Sequence, residues 1–108
     1  MFDLAGRVAI VTGGSRGIGR AVSVSLAEAG AHVLVNYRSN EDAANETVRL
    51  IGQAGGTGET LGFDVAEPES VDVAVKEAAK RHGRLDILVN NAGISIDQLL
   101  LRVTAKDL

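Results

Sequence analysis

Apolar residues fall along this chain in two alternating kinds of run. Short continuous stretches at Val8 to Val11, Val33 to Val35 and Ile87 to Val89, with a weaker one around Leu61 to Val65, have the length and β-branched content of buried strands. Between them the spacing changes to threes and fours. Ile18, Ala21, Val22, Ser25, Leu26 and Ala29 form the stripe of one amphipathic helix, and Gly30 follows where a left-handed C-terminal cap belongs. Ser39 or Asn40 opens a second helix that has acids in its first turn and Ala44, Val48 and Ile51 on one face, and Gly55-Gly56 ends it. A third starts at Pro68, sets Val71, Ala74, Val75, Ala78 and His82 on a stripe, and stops at Gly83. Asp72 with Lys76 and Glu77 with Arg81 are spaced to pair along its solvated face.

Strands alternating with helices over short connections lead to parallel pairing through right-handed crossovers. The expected architecture is α/β: the first four strands of a Rossmann-type doubly wound sheet, in the order 3-2-1-4, with three crossover helices. Ligands of such sheets sit outside the carboxyl ends of the strands.

One segment lies at such an end. Thr12-Gly13-Gly14-Ser15-Arg16-Gly17-Ile18-Gly19 joins the first strand to the first helix. A helix N-terminus presents unpaired amides and a partial positive charge, and glycines let an anion approach them. The spacing of Gly13, Gly17 and Gly19 differs from G-x-G-x-x-G, and a tight strand-to-helix turn would also use such residues. Arg16 and Arg20 add a second signal: at the positive end of a helix each is unfavourable by about 0.3 to 1 kcal/mol unless a negative group shares the space. Solvated arginines are the plain alternative. After the second strand, where an acid normally holds the ribose hydroxyls of NAD, stands Asn36-Tyr37-Arg38-Ser39. Arg38 can pair with a 2′-phosphate, which favours NADP, or it can be a solvated loop residue.

Composition narrows the remaining chemistry. With 108 residues, 45% of them hydrophobic and 23% charged, one ordinary core is expected. The longest apolar run falls far short of the ~20 residues that span a bilayer, and Arg7 interrupts the only stretch resembling a signal peptide, so a cytoplasmic address is expected. There is no cysteine, and the two histidines, His32 and His82, are far apart, so a zinc site is not expected and both read as structural. A net charge of −3 without a basic cluster argues against nucleic-acid binding. No lysine and hydroxyl follow the glycines as a P-loop requires.

Thr12 to Gly19, taken with Asp64-Val65 and Asn90-Asn91-Ala92-Gly93, closely resembles the short-chain dehydrogenase/reductase family over the whole chain. Leu88 to Ile94, then Asp97 and Leu99-Leu100, is similar to family members that reduce 3-oxoacyl thioesters of acyl-carrier protein in fatty acid synthesis. The resemblance implies a homotetramer and an NADP site. Gly13, Gly17 and Gly19 would line the pyrophosphate, Ser15, Arg16 and Ile18 would lend contacts, and Arg16 and Arg38 would hold the 2′-phosphate. Asp64 would accept from the adenine amino group, and the Val65 amide would meet the ring edge. Asn90, Ala92 and Gly93 would flank the nicotinamide ribose, while Thr12 tied the first strand to the Asn-Asn-Ala-Gly turn. Ala66 and Ile96 depart from the family's habits, at a helix cap and near the active-site mouth respectively.

The family's proton donor, a tyrosine followed by a lysine one turn later, has no counterpart here. The only tyrosine, Tyr37, is followed four residues on by Glu41. Residues 1–108 therefore read as the N-terminal dinucleotide-binding part of a single domain, ahead of the catalytic half. Thr104-Ala105-Lys106-Asp107 reads as a capping box that opens a further helix. The Ile87 to Val89 edge and Leu99-Leu100-Leu101 are expected to invite association when bare. The alternative reading is a noncatalytic NAD(P)-binding or redox-sensing module.

Overall fold

In a computed structural model, residues 3–92 are described. The elements run β1 (Val8–Thr12), α1 (Gly17–Glu28), β2 (His32–Tyr37), α2 (Glu41–Gln53), β3 (Thr57–Gly62), α3 (Pro68–His82) and β4 (Ile87–Asn90). All pairings are parallel and the order is β3-β2-β1-β4, as expected from the alternation.

Strand alternation divides the core into two layers. Val8, Ile10 and Leu34 face α3, where Val71, Val75 and Ala78 meet them. Ala9, Val11, Val33 and Val35 face the other way, onto Ala27 of α1 and Ala44 and Ile51 of α2. The central strands are thus buried on both faces, which explains why they read as unbroken apolar runs.

The third strand lies earlier than expected, at Thr57–Gly62 rather than around Leu61 to Val65. Among the described residues it pairs with β2 alone and is only half-buried, so it tolerates the polar sequence Thr-Gly-Glu-Thr-Leu-Gly and shows no apolar run. Phe63, which suggested a strand, lies just past its end and is buried under α3. The helix ends follow their signals: Asn40 Oδ1 accepts from the Ala43 amide at 3.0 Å, Pro68 opens α3, and Gly83 closes it at φ +77°. Glu67 stands at the N-cap of α3 without a side-chain bond, so neither Ala66 nor Asp64 caps it. Of the two expected α3 pairs, Asp72 and Lys76 meet at 3.1 Å, but Arg81 turns instead to Glu59 of β3.

At the start of the sheet Asp86 locks β4 to β1. Its carboxylate accepts from the Val8 amide at 2.8 Å, and its own amide donates to Val8 O at 2.9 Å. The paired hydrogen bonds from Arg84 hold the Asp86 carboxyl down to about 2, against burial, which opposes them.

Candidate cofactor groove

The carboxyl ends of β1, β2 and β3 open onto one groove of about 510 Å³, walled by Gly13, Ser15 and Arg16 on one side and by Arg38, Asp64 and Val65 on the other, with Ala92 at its edge. Seven of the expected site residues therefore share one space. The others stand near it in different ways. Gly17 begins α1 at φ +60°, Ile18 is 74% exposed, and Asn90 ends β4. Gly93 lies outside the described residues, as do Ile96, Asp97, Leu99 to Leu101 and the Thr104 to Asp107 segment.

The loop's shape explains its glycines. Gly13 turns at φ +65°, and a Cβ on Gly19 would fall on Gly13 O, so the loop folds back on itself as no side chain would permit. α1 has no side-chain cap and no acid in its first turn, and its N-cap residue Arg16 lines the groove. An anion there meets the Arg16 guanidinium beside the positive end of the helix.

Buried side chains from other elements fix the loop. Asn36 Oδ1 accepts from the Gly13 amide at 3.0 Å, while its Nδ2 donates to Leu61 O at 3.2 Å and Phe63 O at 3.0 Å. It thereby bolts the glycine loop to the end of β3. Thr47 Oγ1 donates to Gly14 O at 3.0 Å. Arg20 corrects the expectation that it faces an anion. Its guanidinium donates to Ser15 O at 2.7 Å, Ala43 O at 3.0 Å and Thr47 Oγ1 at 2.9 Å, so backbone carbonyls and a hydroxyl take the place of a phosphate. Arg20 ties the loop to α2, and among the described residues Arg16 and Arg38 are the cations that line the groove, with the Asp64 carboxylate beside Arg38.

Thr12 does tie the end of β1 to the turn that follows β4. Its hydroxyl accepts from the Asn91 amide at 2.9 Å and the Ala92 amide at 3.2 Å, and Asn91 Nδ2 donates back to Gly13 O at 3.2 Å. Across the groove Arg38 Nε lies 3.4 Å from Asp64 Oδ2, and Asp64 Oδ1 accepts from the Ala66 amide at 2.9 Å. Arg38 is 80% exposed along its side chain, free to swing toward another anion. Burial, with the nearby Glu41 carboxylate, raises the Tyr37 phenol above its usual value, the reverse of what an activated proton donor needs.

Sequence reasoning passed over Asn36, Thr47 and the positioning role of Arg20. Asn36 carried a signal, being an amide inside an otherwise apolar central strand, where a buried polar group must have partners.

Known proteins are similar to this chain in sequence and fold. Residues 7–108 match the short chain dehydrogenase family. The chain is 43% identical over 107 residues to a 3-oxoacyl-[acyl-carrier-protein] reductase from Synechocystis, covering 99% of this chain and 43% of that protein. It is 44% identical over 94 residues to a 3beta-hydroxysteroid dehydrogenase from Eggerthella lenta, covering 87% and 36%. A metagenomic short-chain oxidoreductase solved in complex with NADP superposes with a TM-score of 0.79 at 40% identity, covering 84% of this chain and 41% of that one. The chain thus spans less than half the length of these relatives, and within that span it belongs to the short chain dehydrogenase family.

Proposed function

We propose that these residues form the NADPH-binding part of a carbonyl reductase that acts on 3-oxoacyl thioesters of acyl-carrier protein. One observation carries the cofactor reading: two guanidinium groups, Arg16 and Arg38, line the groove, and Arg16 stands at the N-terminus of α1, which has no side-chain cap. A dinucleotide with a 2′-phosphate matches both features. Gly13, Gly17 and Gly19 admit its pyrophosphate, with Ser15, Arg16 and Ile18 beside it, and Arg16 and Arg38 take the 2′-phosphate. Asp64 and Val65 receive the adenine, and Asn90, Ala92 and Gly93 the nicotinamide ribose. When bound, NADPH supplies the hydride that turns a ketone into an alcohol. Tyr37 has the wrong environment to supply the accompanying proton, and the family resemblance gives that role to a tyrosine paired with a lysine one helical turn later. The likeness to the Synechocystis reductase supports the thioester substrate, and the likeness to a hydroxysteroid dehydrogenase marks its main competitor.

Calorimetric titration of the full-length protein with NADPH and NADH tests the cofactor, and turnover of an acetoacetyl thioester against a hydroxysteroid tests the substrate. Arg38→Asp is expected to erode the preference for NADPH by roughly 10- to 100-fold, the worth of one lost charge-assisted contact. An unchanged cofactor ratio removes Arg38 from its role, and no uptake of NADPH by the folded protein removes the proposal.

A further inference from the structure

At the end of the sheet opposite the groove, three side chains distant in sequence converge. His32 opens β2, Glu59 lies within β3, and His82 closes α3. His32 is paired with Thr57 in the parallel register, so His32, Thr57 and Glu59 all project from the face that α3 covers. Glu59 Oε1 lies 3.0 Å from His32 Nε2 and 2.8 Å from His82 Nε2, and the two imidazole rings stand 5.0 Å apart at 45°. One ligand atom from each residue falls within 4.8 Å of the others.

We propose that His32, Glu59 and His82 bind a divalent transition-metal ion of the zinc class. Tetrahedral zinc takes imidazole nitrogen and carboxylate oxygen at about 2.0–2.2 Å, which sets neighbouring ligand atoms about 3.3–3.5 Å apart. The two spacings to Glu59 need to open by only a few tenths of an ångström, the histidine nitrogens already lie within 4.8 Å of each other, and side chains that are 20–32% exposed have room to adjust. His82 Nε2 is buried and makes no hydrogen bond of good geometry, although Glu59 Oε1 is close, so it is a polar atom left to find a partner. The surrounding groups hold the ligands in place. Thr57 Oγ1 engages His32 Nδ1 at 2.9 Å, which leaves Nε2 to face the cluster, and Arg81 takes Glu59 Oε2 at 3.1 Å, which turns Oε1 toward the histidines. Two neutral imidazoles and one carboxylate suit zinc, cobalt or nickel better than calcium or magnesium. The partial exposure of all three residues leaves a fourth position to water.

The test is metal binding by the full-length protein after chelation, followed by Zn²⁺ calorimetry and by the visible spectrum of added Co²⁺. The expected result is one ion per chain with tetrahedral Co²⁺ bands, and a loss of affinity of at least about tenfold in His32→Gln and in His82→Gln. NADPH affinity should stay unchanged in both variants, since the groove is at the other end of the strands, and this shows that they have folded. Absence of Zn²⁺ binding by the wild-type protein overturns the proposal. So does binding that both variants retain, or a Co²⁺ spectrum that stays octahedral, which would leave the cluster as two histidines sharing a carboxylate.

Discussion

Asn36→Asp is a near-isosteric change with a large expected cost. The side chain is 3% exposed, and its amide nitrogen faces the carbonyls of Leu61 and Phe63, with that of Tyr37 also at 3.2 Å. In its ionised form the new oxygen removes two donated hydrogen bonds worth about 1 kcal/mol each, strands buried carbonyls, and sets an acceptor against acceptors; the sum is on the order of 3–5 kcal/mol, and the protonated form, which keeps one O–H donor, costs less. The introduced carboxyl has no cation in contact, so it resists ionising in the fold. Its pKa is therefore raised above the unfolded value, and the cost is smallest below that unfolded value and grows as pH rises toward the folded one. Urea denaturation of the variant and the wild type at pH 5 and pH 8 reads both effects, and NADPH titration under folding conditions reads the displaced Gly13 amide. A cost below about 1 kcal/mol, or one equal at both pH values, would refute the view that Asn36 bolts the loop to β3.

Two further outcomes follow from contacts at either end of β1. Gly19→Ala must drive a methyl onto Gly13 O, with Asn91 Nδ2 only 2.7 Å away; the loop has to open, and a stability loss of about 1–3 kcal/mol with weakened NADPH binding is expected by thermal melt and calorimetry. Asp86→Asn keeps an acceptor for the Val8 amide but removes the ion pairs to Arg7 and Arg84. Because the folded carboxyl is held from 3.8 down to about 2, its contribution is complete above pH 3.8 and disappears as pH falls toward 2. That depression corresponds to at most about 2 kcal/mol, reduced to about 1 kcal/mol by solvent at the half-exposed arginines. A wild-type acid-unfolding curve that Asp86→Asn leaves unchanged would show that the pair contributes nothing.

What the sequence disclosed and what it hid follow from the range of the interactions. The glycine loop, the helix ends at Pro68 and Gly83, and the apolar strands β1 and β2 are local matters, set by backbone freedom and by burial on both faces. β3 was misplaced because an edge strand has no need of an apolar run, whereas Phe63 beyond it must be buried. Arg20 was misread because helix position alone cannot tell which carbonyls a long side chain will reach: Ala43 O is 23 residues away in sequence. Glu77 likewise lost Arg81 to Glu59, which holds two imidazoles nearby and stands on the strand that α3 crosses.

Parallel topology also explains why the two candidate sites lie where they do. Each right-handed crossover carries the chain from the carboxyl end of a strand into the amino end of a helix, so open amides, glycine turns and loop guanidinium groups collect on one rim. By the same geometry the opposite rim collects strand starts and helix ends. His32 and His82 each sit at such a boundary, where a single histidine reads as a strand entry or a dipole partner. Only the parallel register of β2 with β3, which sets Glu59 two residues past the partner of His32, turns the two boundary residues into neighbours. A one-residue slip of β3 would send the Glu59 side chain to the α2 face and dissolve the cluster while leaving the cofactor groove's β1 wall intact. The metal proposal therefore depends on strand register, and the cofactor proposal on the conformation of one loop.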